Sequence, residues 1–256
     1  RLGLERLVKS SGLLKRLPSP IAELHDMLAP LPLRFSSEAL PKELAAMGEE
    51  RHRVGFIFGC VMDVMFSTEN EATVRVLRRN GCRVIVPSTQ GCCGALHAHS
   101  GRLEGARELA RRMIDIFEEA KVRYVVINSA GCGNCLKSYG HLLQDDPAYA
   151  TKARDFDARV KDIHELFDLL PFERPTRNLN RALTYHDACH LAHGQGVREA
   201  PRKLCRELSD DYRELPNSDR CCGSAGTYNV THFDSALELL EKKVDDILAT
   251  GAEVVG

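Results

Sequence analysis

The chain has 256 residues, 43% of them hydrophobic, enough for one large domain or two ordinary ones with respectable cores. Thirty-five basic residues against 36 acidic ones leave a net charge of −1, and no Lys/Arg block is long enough to track a phosphate backbone, which argues against nucleic acid as a partner. No run of about 18 apolar residues reads as a transmembrane segment, and the amino terminus lacks the succession of a secretory signal, so the expected compartment is the cytoplasm.

The sequence opens on Arg1 and closes on the apolar AEVVG, and both ends read as cut from a longer chain. Residues 1–50 hold short amphipathic pieces, LERLVKSSGLLKRL and IAELHDMLA, among Pro18, Pro20, Pro30, Pro32 and Pro41, and are expected to form a helical connector. From Arg53 the texture changes. RVGFIFG predicts a strand, ENEATVRVLRRNG a helix stopped by Gly81, and CRVIVP a second strand ending at Pro87. The stretch QGCCGALHAHSG follows. GRLEGARELARRMIDIFEEA then places Leu103, Ala106, Leu109, Ala110, Met113, Ile114 and Phe117 at helical spacing, and VRYVVINS is a third strand running into AGCGNC.

This βαβαβ alternation predicts a Rossmann-like parallel sheet with right-handed crossovers, buried on both faces. Ligands in such sheets sit outside the carboxyl ends of the strands. Cys60, the pair Cys92 and Cys93, and the pair Cys132 and Cys135 each follow one of the three strands, so five thiols should converge on one edge.

The second half repeats the first. RALTYHDACH gives a strand and then Cys189, HFDSALELLEKKVDDILATG a helix, and AEVV a final strand. Cys60, Cys92 and Cys93 recur 129 residues further on as Cys189, Cys221 and Cys222. An internal duplication with its thiols in register is the direct reading, with modules expected at residues 51–175 and 176–256. On the same offset, partners of Cys132 and Cys135 fall near positions 261 and 264, past Gly256, so the second module is expected to be truncated.

Soft thiolates on loops suit an iron–sulfur centre. Gly59, Gly91, Gly94, Gly131 and Gly133 flank the first set and Gly223 follows the second pair; they let backbone bend tightly and bring amide donors near sulfur. A four-thiolate zinc site is the metal rival, but zinc usually draws its ligands as two spaced pairs, and five candidates with two adjacent fit a larger cluster better.

The pattern C-x31-CCG-x37-C-x2-C, from Cys60 to Cys135, resembles the cysteine-rich CCG domain found in heterodisulfide reductase and in iron–sulfur subunits of flavin-linked dehydrogenases. The phrases GCVMDVMF, VPSTQGCCGALHAHSG, NSAGCGNCLKSYG, HDACHLAHGQGVREAP and CCGSAGTYN are similar to those of glycolate oxidase iron–sulfur subunits. The resemblance implies two tandem CCG modules holding a [4Fe-4S] cluster, which in the reductase is of a non-cubane kind. It implies an electron-transfer subunit that takes electrons from flavin-binding dehydrogenase subunits, with FAD on those partners only, and passes them towards a membrane quinone pool. Membrane association, at the inner face, would then run through partners. The connector would join the modules to a ferredoxin-like domain. Family members often lack a cysteine at the position of Cys135. Two other readings stand beside this one: a disulfide-handling enzyme like the reductase itself, and a zinc-stabilised scaffold for flavoproteins.

Blander roles compete for individual residues. Buried thiols can pack as small hydrophobes, which is the expectation for Cys82 and Cys205 but not for the eight motif cysteines, six of which repeat in register. Cys132 and Cys135 could form a redox dithiol at a helix start, although that chemistry needs no CCG pair. His186, His190 and His193 do not share one helical face, so packing or hydrogen bonding to sulfur is preferred to ligation, with His190 the one placed at the cofactor; His97 and His99 are read likewise. The GQG at Gly194 lacks the dinucleotide fingerprint and reads as a turn, and no Ser, His and acid set supports hydrolysis.

Overall fold

The computed structural model describes residues 31–173 and 175–256; the expected connector before residue 31 lies outside the described residues. In the first half, strands β1 (Glu43–Leu44), β2 (His52–Phe56), β3 (Cys82–Ile85), β4 (Tyr124–Ile127) and β5 (Val160–Asp162) form one sheet in the order β1-β3-β2-β4-β5. All its pairings are parallel except that of β1 with β3. Around it run α1 (Ser36–Ala39), α2 (Cys60–Met65), α3 (Ser67–Arg79), α4 (Ala95–His99), α5 (Leu103–Glu119), α6 (Ala130–Leu136), α7 (Tyr139–Leu142), α8 (Ala150–Arg159) and α9 (Ile163–Leu169).

Burial on both faces explains why the central strands read as continuous apolar runs rather than alternating ones. Val54, Phe56, Val84 and Val126 pack with Val74 and Leu77 of α3 and Leu166 of α9. On the other face Ile57, Ile85, Val125 and Ile127 pack with Ala110, Met113, Ile114 and Phe117 of α5 and Phe156 of α8. Gly55 lets the Phe117 ring lie flat on β2, since a Cβ there would stand 2.6 Å from it.

The three predicted strands and both crossover helices are present. Two edge strands were not anticipated. β1 lies inside the segment expected as a helical connector, and β5 follows α8, which places only Ala153 and Phe156 in the core. Both are held by pairing to a neighbour's backbone, a signal that their own side chains do not carry.

In the second half, β6 (Leu183–Thr184) pairs in parallel with β7 (Val254–Val255), with Leu183 opposite Val254, and Leu183 also bridges Tyr212 in parallel. Val54 stands in the same way between Val84 and Tyr124 in the first half. The pairing of the central strand with a neighbour on each side thus recurs, with one neighbour reduced to a single bridge at Tyr212. A π-helical turn (His190–Gly194), α10 (Glu199–Leu208), α11 (Tyr228–Thr231) and α12 (Phe233–Ala249) complete this half, and α5 and α12 are each 17 residues long. Cys82 and Cys205 are buried in the cores, as expected.

Half-buried Asp157 of α8 accepts a 2.8 Å hydrogen bond from the Gly140 amide of α7, and burial pushes its carboxyl up from 3.8 to about 6. The folded state therefore binds this proton more tightly than the unfolded chain, and stability falls as pH rises from about 4 through 6. Asp157→Asn keeps the acceptor and removes the charge. It should raise stability at pH 7 by about 1 kcal/mol after discounting for solvent screening, and by nothing below about pH 4. Urea unfolding at the two pH values checks this.

Candidate metal centre

Each thiol of the first set hangs on the carboxyl end of a strand. Cys60 begins α2 beyond β2, Cys92 and Cys93 lie between β3 and α4, and Cys132 lies in the first turn of α6 beyond β4. All four line one cavity of about 350 Å³. Cys189, Cys221 and Cys222 of the second half line the same cavity from the other side, together with His99 and His190. Cys135 is not on its wall. It is buried behind Cys93 and its thiol donates to the Cys93 carbonyl at 3.5 Å.

Both CCG turns use one local device. Gly94 and Gly223 adopt left-handed φ values of 87° and 79°, which turn their amides back onto the first cysteine of the pair. The Gly94 N–H donates to Cys92 Sγ at 3.4 Å, and the Gly223 N–H to Cys221 Sγ at 3.3 Å. Gly91 has open space where a side chain would stand, and a Cβ on Gly131 would stand 3.3 Å from His190 Nδ1.

The thiols share protons. Cys60 donates to Cys92 across 3.7 Å, and this bond, with others from Cys93 and the Gly94 amide, pushes the Cys92 thiol far down. Cys60 is pushed up by the same bond and by burial; Cys93 is pushed up, first by its bond to Cys132, which is lowered in turn. The hydrogen bonds thus favour the thiolate at Cys92 and Cys132 and the thiol at Cys60 and Cys93, which would lose their protons on binding metal.

Residues outside the cysteine pattern hold this set in place. Gln90 donates to the Phe56 carbonyl and accepts from the Phe58 amide, both at 3.1 Å, tying the CCG turn to the end of β2. Tyr139, fully buried, donates to the Cys93 carbonyl at 2.7 Å. Neither was singled out from sequence. Gln90 adjoins the motif, and Tyr139 follows Cys135 by one helical turn.

The halves interlock at glycines. Gln195 Nε2 donates to the Ala130 carbonyl at 2.9 Å, and a Cβ on Gly133 would stand 2.6 Å from that amide. A Cβ on Gly194 would stand 2.4 Å from Asn134 Oδ1, so GQG is a packing turn, as expected. His190 stacks on His99 with ring centroids 5.3 Å apart. His193 points elsewhere, 2.8 Å from Arg198, and His186 hydrogen-bonds through its backbone to Gly256, so the three histidines form no ligand set.

Among the described residues, no three His, Cys, Asp or Glu side chains gather closely enough to hold a single metal ion. Seven thiols lining one cavity would instead suit an iron–sulfur centre, which draws on several soft thiolate ligands.

The family profile named CCG, cysteine-rich domain, matches residues 54–137 and again 183–256. The chain belongs to the CCG cysteine-rich domain family. The CCG matches cover both thiol sets and more than half of the sequence. Over its whole length the chain is 35% identical to the probable glycolate oxidase iron–sulfur subunit of Bacillus subtilis (strain 168), and it spans 58% of that relative. It is 32% identical over 78% of its length to lactate utilization protein A of Bacillus cytotoxicus, of which it covers 84%. The protein of the same name from an Exiguobacterium species is 34% identical over 79% of the chain. The CCG resemblance read from the cysteine spacing and the α/β architecture are thereby borne out. No helix among the described residues is long and apolar enough to cross a membrane.

Proposed function

We propose that this chain is an iron–sulfur electron-transfer subunit of a glycolate or related 2-hydroxy-acid oxidase complex. It receives electrons from flavin-binding partner subunits that carry the FAD, and passes them towards a quinone pool at the inner face of the membrane. One observation carries the reading: Cys60, Cys92, Cys93 and Cys132 share a cavity with Cys189, Cys221 and Cys222. The names of the relatives, a glycolate oxidase subunit and a lactate utilization protein, support the substrate class.

An iron–sulfur cluster, of [4Fe-4S] composition, would supply one-electron chemistry at these thiols. The chain's own residues do the rest. The cysteines ligate, with Cys135 as a further candidate behind Cys93. The Gly94 and Gly223 amides donate to sulfur, which favours the more negative state, and Tyr139 and Gln90 fix the backbone that carries Cys93 and Cys92.

Anaerobic reconstitution with iron and sulfide tests this. The protein should retain both and give a paramagnetic iron–sulfur signal on reduction; uptake of zinc without sulfide overturns the reading. The exposure of Cys60, Cys189 and Cys221 on a shared cavity also favours a second reading, reduction of a small disulfide at the thiol-lined centre. Turnover of a disulfide by reduced dye, with no flavoprotein present, would select it.

A further inference from the structure

Helix α12 carries a lysine where α5 carries a methionine. A Cβ on Gly94 would stand 3.3 Å from the Ala106 carbonyl oxygen, and one on Gly223 would stand 2.3 Å from that of Ala236. Ala106 and Ala236 therefore occupy equivalent places beneath their CCG turns. Seven residues further along each helix stand Met113 and Lys243, which are 1% and 2% exposed. An ammonium is rarely buried so completely unless it is paired, because it gives up its water.

The Lys243 ammonium donates to the carbonyl oxygens of Asn217 at 3.2 Å and Ser218 at 2.8 Å, in the turn leading into Cys221. The Ser218 oxygen also accepts from the Asp187 amide, two residues before Cys189. One carbonyl thus joins α12 to the approaches of both cysteine positions. The nearby carboxylates are already engaged: Asp187 is held by buried Arg202 at 2.7 Å, and Asp246 lies 3.1 Å from Arg220. Cys221 and Cys222 follow Ser218 by three and four residues, so the carbonyls that Lys243 holds lie in the turn carrying this pair. In the first half the neutral Gln90 amide ties the turn, and the Thr89 carbonyl is held by Arg112 on the exposed surface, where solvent screens its charge.

The structure assigns to Lys243 the role of a positioning residue for the second thiol set: it fixes the Asn217–Ser218 turn and, as a buried cation, makes that set the stronger electron acceptor of the two. Adding an electron adds negative charge, which a nearby cation in a poorly screened place stabilises. An electron delivered by a reduced flavin to this chain then rests at the second set in preference to the first. The inference rests on the proposed reading and adds to it that each thiol set holds an iron–sulfur centre of its own.

Redox titration of the reconstituted full chain, followed by electron paramagnetic resonance, tests it. Wild-type protein should show two midpoint potentials. Lys243→Met should lower the higher one and leave the lower in place, whereas Lys243→Arg should retain both. Lys243→Gln, which keeps a donor for the carbonyls, should shift the same potential if the methionine variant does not fold. Two loaded centres with unmoved potentials in a folded neutral variant overturn the assignment to Lys243 alone. A wild-type chain that loads only one set defeats the two-centre reading, and this inference with it.

Discussion

On the proposed reading, replacing Cys93 by serine should remove iron and sulfide from the first thiol set and leave the second loaded, a loss of about four irons per chain for a [4Fe-4S] centre. Cys93 is the node of its set: 2% exposed, bonded to Cys132 and Cys92, with its carbonyl held by Tyr139 and Cys135. Serine keeps the size and the backbone bonds, so the fold should survive while the soft ligand is lost. Cys205→Ser is the control. That thiol lies in the small core with Leu183 and Tyr185, away from the cavity, and its replacement should leave both sets loaded. Iron and acid-labile sulfide assays on the two variants, with circular dichroism for the fold, decide the matter. Equal metal loss from both would show that the effect is misfolding rather than ligation.

Gly223→Ala should destabilise the chain by about 3 kcal/mol or more, lowering the melting temperature by roughly 10 °C. The position combines a left-handed φ of 79° with a Cβ that would stand 2.3 Å from the Ala236 carbonyl oxygen, and backbone cannot swing aside as a side chain can. To relieve the clash α12 must move away from the CCG turn, taking Lys243 off the Asn217 and Ser218 carbonyls. Gly94→Ala offers an internal comparison. Its φ is similar at 87°, but the nearest atom is 3.3 Å away, so the cost should be nearer about 1 kcal/mol. Calorimetry of both variants checks the order. A Gly223 variant no weaker than its Gly94 counterpart would mean that α12 is not seated on the turn.

Central strands β2, β3 and β4 were legible because burial on both faces writes a continuous apolar run into the sequence. β1 and β5 were not, since a two- or three-residue strand is specified by the edge it joins. The thiol sets were legible because three cysteines recur at one constant offset, so the repeat displays the same pattern twice. Supporting residues are different. Lys243 sits in LLEKKVDD, where a lysine is ordinarily solvated, and its burial shows only once the Asn217 and Ser218 carbonyls stand opposite it. Tyr139 and Gln90 are ordinary helix and loop residues until the Cys93 carbonyl and the end of β2 stand opposite them. The common cavity was also beyond sequence reading. The offset of 129 residues predicts two similar thiol rows but says nothing of their facing one another.

Where Gly194 meets Asn134, and where Gly133 meets Gln195, a Cβ on either glycine would come within 2.6 Å of the opposing side chain, so one side chain seated on bare glycine backbone spans each joint. Neither joint leaves room for an added methyl, so the fit of the two halves has little slack for mutational drift at these glycines.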